Sequence, residues 1–382
     1  MAEIDLIKTS QSDGWKQLKL QTICKINYGK SPSTILSEEG IYPVVGTSGT
    51  TRRGKDYFVA GETIIIGRKG SIDKPFYFNE KIWVIDTAFY TSDHKNVDCK
   101  WLYYFLNSLR LSQFNEGTGV PSLSRTTLYQ IDILQPPFNE QQGISKILST
   151  WDHAIEQMQQ LIEVKKRQKV RMVAQLLSGK MRFPGFQDEW QQVKLGNFLH
   201  PKFRKVEKPK GAYLRLGIRS HGKGIFTSVV DDPETIALTH LFQACKDDLI
   251  VNITFAWEGA IALVGPDGDG ALVSHRFPTY VFDTSKMLPE YFKHLMVSER
   301  FFYELDLISP GGAGRNRVMN KNDFLKISVT VPDIEEQKKI AGVLGAFDNQ
   351  IGLLKKYLVK LQKQKNGLMQ KLLTGEIRVK VN

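Results

Sequence analysis

The sequence is poor in the residues that mark several large functional classes. It has three cysteines in 382 residues, Cys24, Cys99 and Cys245. Their spacing fits neither a disulfide framework nor a cysteine-based zinc site. Seven histidines are scattered without the i, i+4 pairing of a helical metal site. No apolar run approaches the ~20 residues a bilayer span needs. The opening stretch, MAEIDLIKTSQSDGW, lacks the apolar core of a secretory signal. These absences predict a soluble, cytoplasmic chain with no membrane partner and no metal of its own. Gly311-Gly-Ala-Gly314 is not followed by Lys-Ser/Thr, which excludes a nucleotide-binding P-loop there.

What is present is an ordinary globular composition, 41% hydrophobic and 24% charged, with 52 Lys+Arg against 40 Asp+Glu. That length predicts two or three domains, and a net charge of +12 raises the prospect of a polyanionic partner. The chain is also written twice. Residues 136–182 align without a gap on 332–378, with 13 identities in 47 positions. Among them Glu140, Gln141, Ile144, Asp152, Lys169, Gly179 and Arg182 recur as Glu336, Gln337, Ile340, Asp348, Lys365, Gly375 and Arg378. A second echo precedes each copy: Gly14-Trp-Lys-Gln-Leu-Lys-Leu20 resembles Glu189-Trp-Gln-Gln-Val-Lys-Leu195. The organisation predicted is globular segment 1–138, helix 139–183, globular segment 184–334 and helix 335–382.

The repeated helices carry apolar residues spaced alternately by four and three, the seam of a coiled coil. In the first copy the seam is Ile144, Leu148, Trp151, Ile155, Met158 and Ile162; in the second it is Ile340, Leu344, Phe347, Ile351, Leu354 and Leu358. Lys169 and Lys365 interrupt it at equivalent places, as does Lys165 in the first copy only, and a polar seam residue fixes register at some cost in stability. Each helix starts after a proline, Pro137 or Pro332, and stops at Gly179 or Gly375. A globular segment of about 150 residues separates the helices, enough for the second to return antiparallel to the first. The fold class expected is mixed α/β: two duplicated globular domains, a long antiparallel two-helix coiled coil and pseudo-two-fold symmetry. In the first globular half Tyr42–Gly46, Thr63–Gly67 and Trp83–Tyr90 read as strands, followed by a helix from Trp101. In the second the same order is expected of Leu249–Phe255, Ala260–Val264 and Thr279–Phe282, with a helix from Tyr291.

Two apparent catalytic motifs dissolve on comparison of the copies. Gln135-Pro-Pro-Phe138 is one residue from the Asn-Pro-Pro-Phe of amino-methyltransferases, but the second copy reads Val331-Pro-Asp-Ile334. Only the first proline recurs, as a strand-to-helix junction requires. Asp333 with Glu336-Gln-Lys338 has the outline of a nuclease triad, but these acids fall in the first turn of a predicted helix, where they complement its dipole.

Basic and polar clusters on glycine-containing loops survive this comparison. The first half offers Arg52, Arg53 and Lys55; Arg68 and Lys69; and Ser122, Ser124 and Arg125. The second offers Arg219, His221 and Lys223; His275 and Arg276; and Arg315, Asn316, Arg317 and Lys321. Such side chains neutralise phosphates and hydrogen-bond base edges. Trp257 reads as core rather than as a stacking surface.

The alternation of globular segment and helix resembles the specificity subunit of type I restriction-modification systems. The similarity runs through Tyr42-Pro-Val-Val-Gly-Thr-Ser-Gly49, Gly61–Ser71 and Asp86-Thr-Ala88 in the first half. It continues through Asp248–Ile261 and Val273-Ser-His-Arg-Phe277 in the second, and through Leu176-Leu-Ser-Gly179 and Leu372-Leu-Thr-Gly375 at the helix ends. The resemblance implies that each globular half is a target recognition domain for one half of a bipartite double-stranded DNA sequence. It implies that the helices dock two methyltransferase subunits, which restriction/translocase subunits join. It further implies no active site and no cofactor in this chain, with S-adenosylmethionine, ATP and magnesium belonging to the partners. The alternatives are a self-contained DNA methyltransferase or nuclease with a fused recognition module, and a coiled-coil scaffold. Ten of the twelve excess positive charges fall on the two helical segments, so bulk basicity says little about base recognition.

Overall fold

The computed structural model describes residues 4–8, 14–311 and 317–381. The chain forms two compact units, one of residues 1–160 with 355–382 and the other of residues 161–354. Each unit therefore combines a globular domain with part of each long helix, Phe138–Leu177 and Ile334–Leu373.

In the first unit a four-stranded antiparallel sheet has the spatial order Lys25–Tyr28, Ala88–Ser92, Glu62–Gly67, Phe76–Asn79. The strand Glu62–Gly67 reads as a continuous apolar run because both of its faces are buried. Side chains alternate across a strand: Ile64 and Ile66 pack under the helix Cys99–Ser108 with Phe89, Trp101 and Leu102, whereas Ile65 joins Val45, Ile82 and Val84 on the other side. That helix starts where Asp98 accepts a hydrogen bond from Trp101 N–H at 2.7 Å. A second sheet joins Gly49–Gly54, Tyr42–Gly46 and Trp83–Val84, the last two strands running parallel. Strands Ile4–Lys8 and Ile377–Val381 pair antiparallel in the same unit, so the helix expected over 335–382 stops at Leu373, as that expected over 139–183 stops at Leu177, the chain turning at its glycine in each case.

The second unit repeats this plan. Leu199–Pro201, Thr279–Phe282, Leu249–Val251 and Ile261–Leu263 form the equivalent antiparallel sheet. Leu249 and Val251 face one core and Ile250 another. The sequence correspondence drawn above therefore needs correction. Leu249–Val251 matches Glu62–Gly67, and the partner of Tyr42–Gly46 is the unanticipated hairpin strand Tyr213–Ile218. The run from Trp83 to Tyr90 is also two strands in different sheets, broken where Thr87 O accepts the N–H groups of Arg68 and Lys69. The greater length of the second globular segment is accommodated partly by two further strands, Lys205–Glu207 and His240–Gln243, which extend its second sheet to five.

Within each unit the long helices run antiparallel. In the first, Ile144 and Leu148 pack with Met369, Leu372 and Leu373, and Asp152 pairs with Lys365. In the second, Leu176 packs with Ile340 and Leu344, and Lys169 pairs with Asp348. Every seam residue is buried or half-buried: Ile144, Leu148, Ile162, Ile340, Leu344 and Ile351 fully, and Trp151, Ile155, Met158, Phe347, Leu354 and Leu358 partly. Both helices end in a left-handed glycine, Gly179 at φ 69° and Gly375 at φ 76°. Trp190 lies against the first glycine and Trp15 against the second.

Candidate nucleic-acid interface

In the second unit the turn 252–259 gathers the three described basic clusters. His221 N–H donates to Glu258 O at 2.7 Å, and Gly222 N–H donates to Gly259 O at 2.9 Å, fixing the hairpin loop 219–224. His221 itself holds φ at +61°, a left-handed backbone that costs a non-glycine residue energy. Ile253 N–H donates to Arg276 O at 3.0 Å, and Met319 N–H donates to Ile253 O at 2.8 Å. Lys321 Nζ donates to His275 O at 3.3 Å. Arg219, His221, Lys223, His275 and Arg276 are exposed around this turn. Arg315 and Asn316 lie outside the described residues.

Arg317 differs from its neighbours. Its guanidinium stacks 5.0 Å from the ring centre of Trp257 and donates to Ser309 O and Asp306 O at 2.9 Å each. It also pairs with Asp306 at 2.7 Å. Trp257 is half-buried, so it is a mount for an arginine rather than the core residue expected. Arg219 stacks similarly on Phe226 at 5.1 Å.

In the first unit two of the three clusters meet. Gly70 N–H donates to Pro121 O at 2.8 Å, Leu123 N–H donates to Arg68 O at 2.9 Å, and Lys69 bridges Ser122. The loop is tight: a Cβ on Gly67 would lie 2.0 Å from Ser71 O, so only glycine fits. Ser124 caps the short helix Arg125–Tyr129 by accepting from Thr127 N–H at 3.0 Å. Ser122 N–H donates to Asn115 at 2.8 Å. Arg52, Arg53 and Lys55 are exposed and held against residues 35–41 instead, through Arg53 Nη1 to Ile41 O at 2.8 Å and Lys55 N–H to Ile35 O at 2.8 Å.

Comparison with known proteins shows the family of the chain. A family model for the type I restriction modification DNA specificity domain matches residues 12–166 and, a second time, 187–363. The chain belongs to that family. It carries two DNA specificity domains, as a type I specificity subunit does. The type I restriction enzyme MjaVIII specificity subunit of Methanocaldococcus jannaschii is 25% identical over 403 aligned positions, covering 96% of this chain and 94% of that protein. The crystal structure of a type I restriction-modification S subunit from M. genitalium shares the fold, with a TM-score of 0.63 at 16% identity over 96% of this chain and 98% of that one. A chain from a study of assembly and conformational transition in the type I system matches with a TM-score of 0.53 at 12% identity, over 96% of this chain and 99% of that one.

The repeated residues of this specificity chain build a buried polar node in each unit. Glu140 accepts from Trp15 Nε1 at 3.1 Å, from Arg378 Nε and Nη2 at 2.8 Å each, and from Val379 N–H at 3.0 Å. Glu336 accepts from Trp190 Nε1 at 3.1 Å and from Arg182 Nε and Nη2 at 3.0 and 2.7 Å. Burial pushes the Glu140 carboxyl upward, but the Arg378, Val379 and Trp15 hydrogen bonds outweigh it and leave the group below its ordinary range. These acids thus do more than complement a helix dipole. In the second helix that first turn is capped by Asp333, which accepts from Glu335 and Glu336 N–H at 2.8 and 2.9 Å. The Gln135 side chain is buried and donates to Asn96 O at 3.0 Å, so the Gln-Pro-Pro-Phe motif is a structural junction.

Sequence reasoning missed Trp15, Trp190 and the four residues they join as a node, although their identity in both copies was the available signal. It also missed Tyr28 and Phe226, which carry arginines and stand half-exposed at strand ends. Among the described residues no group of three His, Cys, Asp or Glu side chains is placed to hold a metal. Among the same residues no helix is long and apolar enough to cross a membrane.

Proposed function

We propose that each DNA specificity domain reads one half of a bipartite duplex target, through segments 1–138 and 184–334. The observation carrying this is the convergence of basic clusters 219–223, 275–276 and 321 on one turn, although about a hundred residues separate the first from the last. Exposed Arg, Lys and His on a rigid turn supply phosphate neutralisation and base-edge hydrogen bonds together. Arg68, Lys69, Ser122 and Arg125 form the counterpart in the first domain, Ser124 acting there as a helix cap. Arg52, Arg53 and Lys55 contact the backbone further along the duplex.

In this reading the long helices Phe138–Leu177 and Ile334–Leu373 hold two methyltransferase subunits, which restriction/translocase subunits join in the cytoplasm. The chain contributes recognition rather than catalysis. S-adenosylmethionine, ATP and magnesium act on those partners. Exchanging residues 1–135 for those of another family member tests the assignment. Methylome sequencing of cells carrying the chimaeric complex should show one half-site changed and the other kept; a change in both halves would sink the reading.

A further inference from the structure

Tyr28 ends the strand Lys25–Tyr28 and is 47% exposed. Its inner edge is fixed by Phe89, whose ring centre lies 5.1 Å away at a 59° tilt. Two guanidiniums share this one ring. Arg68 and Arg125 each place Cζ 5.1 Å from its centre, although they come from loops 57 residues apart in sequence.

Neither arginine hangs free. The Arg68 backbone is pinned on both sides, its N–H donating to Thr87 O and its carbonyl accepting from Leu123 N–H, each at 2.9 Å. Its Nη1 donates to Asp86 O at 3.1 Å. Arg125 opens a short helix whose start Ser124 caps. Among the described residues no ion pair joins either guanidinium to a carboxylate. Arg317 of the second domain is the contrast. It is mounted on Trp257 in the same way but is neutralised by Asp306, so it acts as a clamp. The mount is shared by both domains, Arg219 on Phe226 included; among the described residues, two guanidiniums on one ring occur in the first alone.

Two like charges on one surface repel, and a ring face offsets that repulsion through its quadrupole. A guanidinium already held over a ring loses little further freedom on binding. It also presents its N–H fork from a fixed position. A phosphate also accepts such a fork bidentately, but from any direction around its tetrahedral oxygens. Guanine O6 and N7 form a planar pair of acceptors and gain the most.

We infer that Tyr28 is a positioning residue for base recognition. It holds Arg68 and Arg125 as a pre-aimed pair, and the half-site read by the first domain contains a G·C pair contacted by them in the major groove. This rests on the reading of the first unit as a DNA-recognition domain.

The test uses the full chain assembled with its methyltransferase subunits, with the modified motif read by methylome sequencing. Tyr28→Phe keeps the ring and should keep the motif. Tyr28→Leu should relax one G·C pair of one half-site by about tenfold, leaving the other half-site unchanged. Arg68→Lys and Arg125→Lys keep the charge but lose the fork, so at least one should relax the same base pair even if Tyr28→Leu fails to fold. An unchanged motif in Tyr28→Leu overturns the inference. So does a uniform loss of affinity over all sequences with a shallower salt dependence, which would mark a phosphate clamp. The exchange of residues 1–135 separates the two levels. If it alters neither half-site, the domain reading itself fails; if it alters one and Tyr28→Leu none, only the role of Tyr28 falls.

Discussion

Arg378 donates two parallel hydrogen bonds to Glu140, from Nε and Nη2 to the two carboxylate oxygens at 2.8 Å each. The second unit makes the same fork between Arg182 and Glu336. Each pair joins one copy of the repeat to the other. Pairing within a copy, Glu140 with Arg182, does not occur, since each carboxylate is held by the arginine of the other copy. The node therefore ties the start of one long helix to the segment following the other.

Glu140→Ala should destabilise the first unit by about 3–5 kcal/mol, because it leaves the Arg378 guanidinium largely buried without its carboxylate. Hydrogen exchange should accelerate around Trp15–Leu20 and residues 138–148, with the second unit unaffected. Equal acceleration in both units would mean that the node does not act locally. Because the folded Glu140 group lies below its ordinary value, its contribution is present at neutral pH and lost as pH falls through the folded value. Glu140→Gln should flatten that acid limb.

His294 is 3% exposed, and its Nε2 lies 3.9 Å from Asp348 Oδ2. Burial, helped by Lys293 and Lys169 and opposed by Asp348, brings its pKa from 6.5 down to about 4. Across that window the unfolded chain binds a proton that the folded chain refuses. Stability of the second unit should therefore fall as pH drops from 6.5 towards 4, by at most about 3 kcal/mol. The equivalent residue in the first unit is Tyr104, whose hydroxyl donates to Asp152 at 2.6 Å. His294→Tyr should abolish most of this slope in urea melts at pH 7.5 and 5. A variant with the slope intact would contradict the assignment.

Lys365 sits in the helix seam, pairs with Asp152 and lies 5.3 Å from the centre of the Tyr104 ring. A double-mutant cycle with Asp152→Ala and Lys365→Ala should return about 1 kcal/mol of coupling, since Asp152 is partly solvated. Replacing both with leucine should raise the denaturation midpoint while weakening the register, visible as broadened exchange along the helices. A coupling near zero would leave the register to the apolar seam alone.

Arg276 and Arg317 should separate by assay. Arg276 is exposed; Arg276→Ala should lower the salt dependence of DNA binding by about one ion while leaving stability unchanged. Arg317→Ala should instead destabilise the second unit by about 1–3 kcal/mol, through the loss of Asp306, Ser309 and Trp257 contacts. Fluorescence anisotropy of the assembled complex across salt concentrations, beside thermal melts, distinguishes the two. The converse pattern would exchange their roles.

Much of the helical architecture is legible in sequence because helix periodicity is local. The 3–4 spacing from Ile144 to Leu176, and its copy from Ile340 to Leu372, needs no knowledge of the rest of the chain. Short strands were harder. Leu249–Val251 and Glu62–Gly67 are buried on both faces, so alternation is invisible in them, and the two halves were aligned one strand out of step. Charge and glycine singled out the basic loops of the proposed interface. They could not distinguish Arg317, which is committed to Asp306, from Arg276, which is not, because that depends on side chains brought together from different loops.

The sequence by itself determined that the chain is duplicated, that each long helix starts after a proline and stops at a glycine, and which residues face the seam, although the segment up to 382 read as helix closes in the strand Ile377–Val381. Those properties follow from backbone chemistry at glycine and proline and from a period that adjacent residues share. Tertiary structure alone decided which copy of Glu140, Asp152, Lys169 and Arg182 meets which. Identical residues offer identical chemistry, and only the antiparallel course of the helices within each unit chooses between them. The same holds for Tyr28: its identity is plain in the sequence, but the two arginines it carries come from loops that only the folded sheet brings to one ring.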